Sequence, residues 1–146
     1  MAVVLEVADA VVAELANAPA GTFNQVMNPQ RRVLPQFELS ELEELKVTVA
    51  PRAMDISNAS RMASQYDVQV DIGIQKRVGK AMDGDVAPLF ELADQIAAYL
   101  QRRQLWRLPA AAWLRITNSP IYAPDQLASD RVFTSVLTVT YRLMRQ

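Results

Sequence analysis

Two long stretches of strict alternation between apolar and polar residues constrain this chain more than any other feature. The first covers residues 66–74, and its apolar set is Tyr66, Val68, Val70, Ile72 and Ile74. The second covers residues 131–143. Because successive side chains of a strand point to opposite faces, each stretch predicts a strand with one face on a core. The other face is then left for water or for a partner.

The available residue types limit the chemistry of the chain. It has no cysteine and no histidine. Lack of cysteine excludes disulfides, a thiol nucleophile and a thiolate metal site, and lack of histidine removes the commonest general base. An enzyme would have to work with carboxylates, Lys, Tyr, Ser or Thr. We therefore expect no catalytic residues, no metal site and no cofactor.

Length and charge indicate one domain of ordinary size over residues 1–146. The chain has 146 residues, of which 51% are hydrophobic and 21% charged, which is enough to bury a core. Its 15 basic and 16 acidic residues give a net charge of −1. Such a balance gives no reason to expect nucleic-acid binding over the whole surface.

The first residues do not have the pattern of a targeting signal. No basic region precedes the apolar stretch at residues 2–15, and Glu6, Asp9 and Glu14 interrupt it. No window approaches the roughly 18 uninterrupted apolar residues of a membrane span. We therefore expect no membrane partner, and we expect the protein to fold in the cytoplasm of the cell that makes it.

Helical periodicity predicts two amphipathic helices. The first covers residues 3–17, with acidic residues opposite an apolar stripe. The second begins near Asp83 or Asp85, one of which is expected to cap it, and its buried stripe is Val86, Leu89, Phe90, Ala93, Ile96, Ala97 and Leu100. Arg102, Arg103 and Arg107 follow this helix, where cations complement the helix dipole.

The remaining patterns predict shorter strands and loops. Residues 45–49 and 111–117 alternate as strands, and residues 31–37 form a short strand that Pro35 places at an edge. Residues 51–65 are expected to be a long hairpin connection with a mobile tip, because they contain no Asn-Gly or Asp-Gly pair. Residues 118–130 are expected to be a long loop with two prolines.

Taken together, these elements predict an α+β fold. The order is helix, two or three strands, helix, two strands. We expect a single mixed, mainly antiparallel sheet of about four to five strands with two helices packed on one side.

Two kinds of polar cluster suggest chemistry, and each has a simpler structural explanation. Asp67 and Asp71 share one face of a strand, and Asp83 and Asp85 flank Gly84 without the spacing of a calcium loop. A solvated strand face and a helix cap explain them. The basic runs at residues 75–80 and 102–107 could touch phosphates, with Trp106 stacking on a base. For the second run, helix-end cations and packing of Trp106 over a sheet edge are the preferred explanation.

Apolar side chains in expected loops are the more informative set. They occur where polar residues are usual, so they either fold back onto the core or contact another subunit. Both interpretations stay open for this set, and its members are the candidate subunit-contact residues Met54, Ile56, Met62, Ile121, Tyr122 and Leu127.

The strand pattern also resembles a known family. Residues 131–142, preceded by a loop with prolines, resemble the end of small tail-completion proteins of long-tailed bacteriophages. Residues 66–76, followed by the helix expected at residues 85–105, are similar to the same group. The order of elements over most of the chain resembles tail terminators, whose fold packs helices on one side of a mixed sheet.

The resemblance implies a structural protein of the virion neck. It implies a homo-oligomeric ring, typically a hexamer, that caps the tail tube and presents a surface to the head connector. The implied partners are further copies of the chain, the tail tube protein and a head-completion or connector protein. Another head-to-tail joining subunit is the nearest alternative, and a carboxylate enzyme using Asp67 or Asp71, or a nucleic-acid-binding module, is the alternative from a different class.

Overall fold

A five-stranded sheet with helices against one face makes up the protein, and the computed structural model describes residues 2–146. In chain order the elements are α1 (Val3–Ala16), β1 (Gln30–Arg31), a 3-10 turn (Glu41–Glu43), β2 (Lys46–Ser60), β3 (Ala63–Arg77), α2 (Met82–Leu100), β4 (Ala112–Asn118), α3 (Pro124–Asp130) and β5 (Val132–Arg145).

The strand order across the sheet is β1-β2-β3-β5-β4. Only the β1–β2 pair is parallel, so the predicted α+β class and mainly antiparallel mixed sheet are confirmed. Strands β3 and β5 pair without a register shift, from Ser64 opposite Arg145 to Arg77 opposite Val132. These strands contain the two alternating stretches of the sequence, and they form the centre of the sheet.

The core lies between this sheet and the two longer helices. Strand β3 buries Val68, Val70, Ile72 and Ile74, and β5 buries the alternate residues Phe133, Leu137, Val139, Tyr141 and Leu143 on the same side. Helices α1 and α2 add their buried residues to this one cluster. The two predicted helices therefore do pack on one side, and we call the opposite side of the sheet the outer face.

A buried carboxylate ties the two helices together. Glu14 of α1 is only 3% exposed. Its Oε1 accepts the backbone N–H of Trp106 at 2.9 Å, and its Oε2 lies 3.5 Å from Arg103 and accepts the Tyr99 hydroxyl at 3.4 Å. Because a buried acceptor needs donors, these contacts fix the end of α1 against the segment that follows α2.

The prediction that residues 51–65 form a long hairpin connection with a mobile tip is wrong. Strands β2 and β3 continue through this segment and are joined only by Arg61 and Met62, so the connection is tight and the strands are long. The antiparallel pairing of the two strands is confirmed. A register shift between Pro51 and Ala53 interrupts β2, which is the mark of a β-bulge.

Three smaller expectations also need correction. The edge strand near residue 31 is confirmed, but it includes only Gln30–Arg31, and residues 33–37 do not join the sheet. Residues 118–130 are not all loop, because they contain α3. Helix α2 has no side-chain cap, and Asp85 instead accepts the backbone N–H of Gly79 at 2.8 Å.

Candidate assembly surface

The six candidate contact residues form two separate groups. Met54 and Ile56 lie on the second half of β2, and Met62 lies in the turn that follows. Ile121 and Tyr122 lie between β4 and α3, and Leu127 is in α3. The backbone of Pro120 accepts the N–H of Val136 in β5, which places this second group beside β4. The groups are therefore at opposite edges of the sheet.

Exposure separates five of these residues from the sixth. Met54 is 40% exposed, Ile56 56%, Met62 75%, Ile121 54% and Tyr122 39%. Leu127 is partly buried and packs against the core. Tyr122 also meets the ring of Phe90 edge to face, at 6.0 Å between centroids. Met54, Ile56, Met62 and Ile121 are thus the members of the set that remain available to a partner.

One edge of the sheet is open over a long stretch of β2. Strand β1 pairs with Thr48 and Val49 only, and the N–H of Arg32 adds one bond to the carbonyl of Val49. Among the described residues no strand lies outside residues 52–60, and every one of these residues is exposed. We call this stretch the hairpin edge. Its outward backbone groups are free to pair with another strand.

The bulge in β2 decides which way the hairpin edge points its side chains. Before the bulge, Val47 and Val49 face the helices. After it, Met54 lies opposite Val68 and Ile56 opposite Tyr66, so both face the helix side, while Asp55 lies opposite Asp67 on the outer face. The hairpin edge therefore carries Met54 and Ile56 on one side and Asp55, near the Arg52–Asp71 pair, on the other.

Strand β4 forms the other edge of the sheet. It pairs with β5 only, and we call its outward side, residues 112–118, the β4 edge. Trp113 and Ile116 lie opposite Tyr141 and Val139 on the helix side and pack against the core. Arg115 lies opposite Thr140 on the outer face and is exposed.

The outer face carries two acidic side chains that were considered for catalysis, and both have cationic partners. Asp67 accepts two bonds from Arg142, at 2.8 and 3.0 Å. This bidentate contact is the main reason that the pKa of Asp67 lies below its ordinary value. Asp71 lies 3.1 Å from Arg52 and accepts the Thr138 hydroxyl at 2.6 Å. Both carboxylates therefore join neighbouring strands.

No group of three or more acidic side chains that could hold a metal ion occurs within residues 2–146. Asp67 and Asp71 lie on a sheet face, and Asp85 binds a backbone N–H. The clusters considered from the sequence are therefore not brought together into one site.

Three of the six cations in the two basic runs make contacts within the chain, and these are Arg77, Arg103 and Arg107. Arg77 contacts Glu43 at 2.9 Å, and Arg103 donates to the carbonyl of Tyr99 at 2.9 Å while lying over its ring. This contact confirms that Arg103 binds the carboxyl end of α2. Trp106 is 52% exposed with Arg107 stacked on it, so it does not pack over a sheet edge as expected; Trp113 does.

Sequence reasoning missed two features of this surface. It did not identify Asp55, because the meeting of Asp55 and Asp67 depends on the register and on the bulge. It also gave Arg115 no role, since a single basic residue in a short strand carries no signal by itself. The alternation of β2 beyond Pro51 was the one available signal that the strand continues.

Comparison with known proteins adds no family to this description. No model of a protein family matches the chain, and no curated protein matches it. Within the described residues, every helix is too short or too polar to cross a membrane.

Proposed function

We propose that this chain is a structural subunit of a bacteriophage neck, a tail terminator that forms a ring on the end of the tail tube. The observation that carries the proposal is the presence of two open strand edges on opposite sides of one sheet, each beside exposed apolar side chains. A ring requires two different complementary patches on each subunit, and this chain offers two.

The arrangement of side chains also supports binding as the mechanism. The carboxylates on the outer face are bound to arginines or to a hydroxyl, which is typical of a structural sheet surface. In the proposed role the ring stops growth of the tube and presents its free side to a head-completion or connector protein. The proposed location is the neck of the virion, and the ring is proposed to be a hexamer.

The test is electron microscopy of particles from a phage that encodes this chain but cannot express it. Separate filled heads and abnormally long tails are the expected result, because nothing would stop tube growth. Supplying the wild-type chain from a plasmid is the control and should restore infectious particles.

Two other results would revise the proposal. Tails of normal length that fail to join heads would assign the chain to a different head-to-tail joining role. Normal infectious particles in the absence of the chain would exclude a neck function.

A further inference from the structure

We propose that neighbouring copies of this chain join by strand pairing, with the hairpin edge of one copy lying antiparallel to the β4 edge of the next. This inference deepens the proposed ring function and rests on it. It assigns the contact to backbone hydrogen bonds in addition to apolar side chains, and it names the two strands that meet.

The strand directions allow this contact without any rearrangement. Each step across the sheet from β2 to β3, to β5 and to β4 is antiparallel, so β2 and β4 run in opposite directions. A second copy placed with its β2 beside β4 therefore continues the antiparallel alternation. The sheet would run from one subunit into the next, and both open edges would be covered.

Charge is complementary on the outer face. Asp55 lies directly opposite Asp67, whose carboxylate is already bound by Arg142. Like charges at opposed positions are unfavourable, so a cation brought beside the exposed Asp55 would favour the contact. Among residues 2–146, no basic side chain lies within 4.0 Å of Asp55 and no acidic one within 4.0 Å of Arg115. Asp55 and Arg115 thus offer opposite charges at the two edges, and Arg115 also helps to lower the pKa of Asp67 in its own chain.

In the register that places Asp55 opposite Arg115, apolar side chains also meet on the helix side of the sheet. Placing Asp55 of one copy opposite Arg115 of the next brings Met54 opposite Ile116, and both of these face the helix side. Leu114 is the extra residue of a register shift in β4, so Ile56 then lies beside Leu114 and Trp113. Apolar side chains therefore meet apolar ones, while the acidic and basic pair meets on the other face. A shift of one residue would place every side chain on the wrong face.

Pairing of two hairpin edges is the main rival arrangement, and it is less favourable. A pair of hairpin edges in register at Asp55 brings two carboxylates together, and Arg52 on the same edge is already bound to Asp71. Such a contact is also symmetric and closes as a dimer, which leaves both β4 edges open. The pairing of unlike edges covers both edges and can close as a ring.

Disulfide trapping tests the pairing directly, because the chain has no cysteine of its own. Residues directly opposite in an antiparallel pair have Cα atoms about 4.5–5.5 Å apart, which is within the reach of a disulfide. We would oxidise the Asp55→Cys, Arg115→Cys double variant and separate the products on a non-reducing gel. The control variants are Asp55→Cys alone, Arg115→Cys alone, and Asp94→Cys combined with Arg115→Cys, in which Asp94 lies on the exposed side of α2.

The expected result is a ladder of covalent oligomers from the Asp55→Cys, Arg115→Cys variant alone, ending in one closed species. Dimers formed equally fast by Asp55→Cys alone would overturn the proposal in favour of paired hairpin edges. A double variant that stays monomeric, with the thermal stability of the wild type, would overturn it as well. If the ladder forms but phage lacking the chain are normal, the edge pairing stands and the neck function fails.

Charge reversal gives a second and independent readout. Asp55→Arg alone places two arginines at every contact, and Arg115→Asp alone places two aspartates there. Each variant should assemble at least tenfold more weakly than the wild type in sedimentation velocity, and Asp94→Arg should not. Mixing the two variants restores an Asp–Arg pair at every contact of an alternating ring. Assembly of the mixture is therefore expected, and no recovery on mixing would contradict the assigned pair.

Discussion

Gly73 occupies a position on β3 where a side chain has no room. It lies opposite Thr48 of β2, and a Cβ added at Gly73 would be 2.9 Å from the Thr48 hydroxyl oxygen. Thr48 is only 2% exposed, and its β-branched side chain is stiff at χ1. The glycine in the middle of a long strand is therefore explained by close approach of two strands and not by a bulge.

We expect Gly73→Ala to lower the free energy of unfolding by about 1–3 kcal/mol, the usual cost of overpacking a buried site. Chemical denaturation measures this value. The same change made in a Thr48→Ala background should cost less, because the hydroxyl that causes the clash is gone. Gly84→Ala is the matched control, since nothing lies within 4 Å of its added Cβ and it is in a helix. It should stabilise the protein by up to about 1 kcal/mol. Equal costs of Gly73→Ala in both backgrounds would contradict the explanation.

Glu14 is a second residue whose environment predicts a large effect. Glu14→Ala removes the acceptor of the Trp106 N–H and leaves that donor without its partner. We expect a loss of about 1–3 kcal/mol in the free energy of unfolding, measured by urea titration. Glu14→Gln keeps an acceptor oxygen and should lose less. Glu44→Ala is the control at an 86% exposed side chain and should change stability by less than about 0.5 kcal/mol.

At the scale of elements, the sequence predicts which side chains of the central strands face the helices, but it does not predict this for β2 beyond its bulge. The alternation of β3 and β5 predicts their faces, because both strands are regular over their whole length. The second half of β2 has the same period, but the bulge near Arg52 reverses which residues face the helices. A bulge adds one residue without a composition signal, so the faces of Met54 and Asp55 could not be assigned from the sequence.

One short element was missed and another was given bounds that are too long, for different physical reasons. Helix α3 begins with Pro124 at its first turn, which is a recognised start signal, but the helix is short and buries no residue. It therefore shows no amphipathic period. Strand β1 has only two residues and depends on its neighbour β2, so local sequence cannot define its end. Among the candidate contacts, position in the chain could not separate Leu127, which packs on the core, from Ile121, which does not.

The ion pair between β3 and β5 gives the sheet a predictable response to acid. Arg142 holds the pKa of Asp67 below its ordinary value near 3.8. Because the folded-state pKa is lowered, the contribution to stability is fully present above about pH 4 and is lost as the pH falls through the folded-state pKa. Asp67→Asn should therefore be less stable than the wild type at neutral pH, and this difference should shrink as the pH falls to about 3.

Thermal unfolding at a series of pH values measures this effect, with Asp94→Asn as the matched control on an exposed part of α2. A difference between wild type and Asp67→Asn that stays constant from neutral pH to acid would show that the carboxylate charge does not stabilise the β3–β5 pair.

At the scale of the whole molecule, variants of the residues beside β4 separate an effect on monomer stability from an effect on assembly. Ile121 is 54% exposed, so we expect Ile121→Asp to leave the thermal stability of the monomer within about 0.5 kcal/mol of the wild type while it weakens assembly. Tyr122→Asp should reduce both, because the Tyr122 ring contacts Phe90.

Thermal denaturation and sedimentation velocity of the same samples separate the two effects. Arg131 is not a suitable control, because it has a left-handed backbone conformation at the end of α3. Asp125→Asn, on an exposed first turn of α3, is preferable. A large loss of monomer stability in Ile121→Asp would assign this residue to the core and remove it from the contact surface.

The position of β5 between β3 and β4 also indicates which step of folding should be slow. Strands β2 and β3 form one local unit, and β4, α3 and β5 form another, while the β3–β5 junction joins residues that α2 and β4 separate along the chain. Closing a long loop costs entropy before the contacts it allows are made. The pairing of β3 with β5 should therefore be the slow step of folding, because it closes the longest loop between neighbouring strands of the sheet.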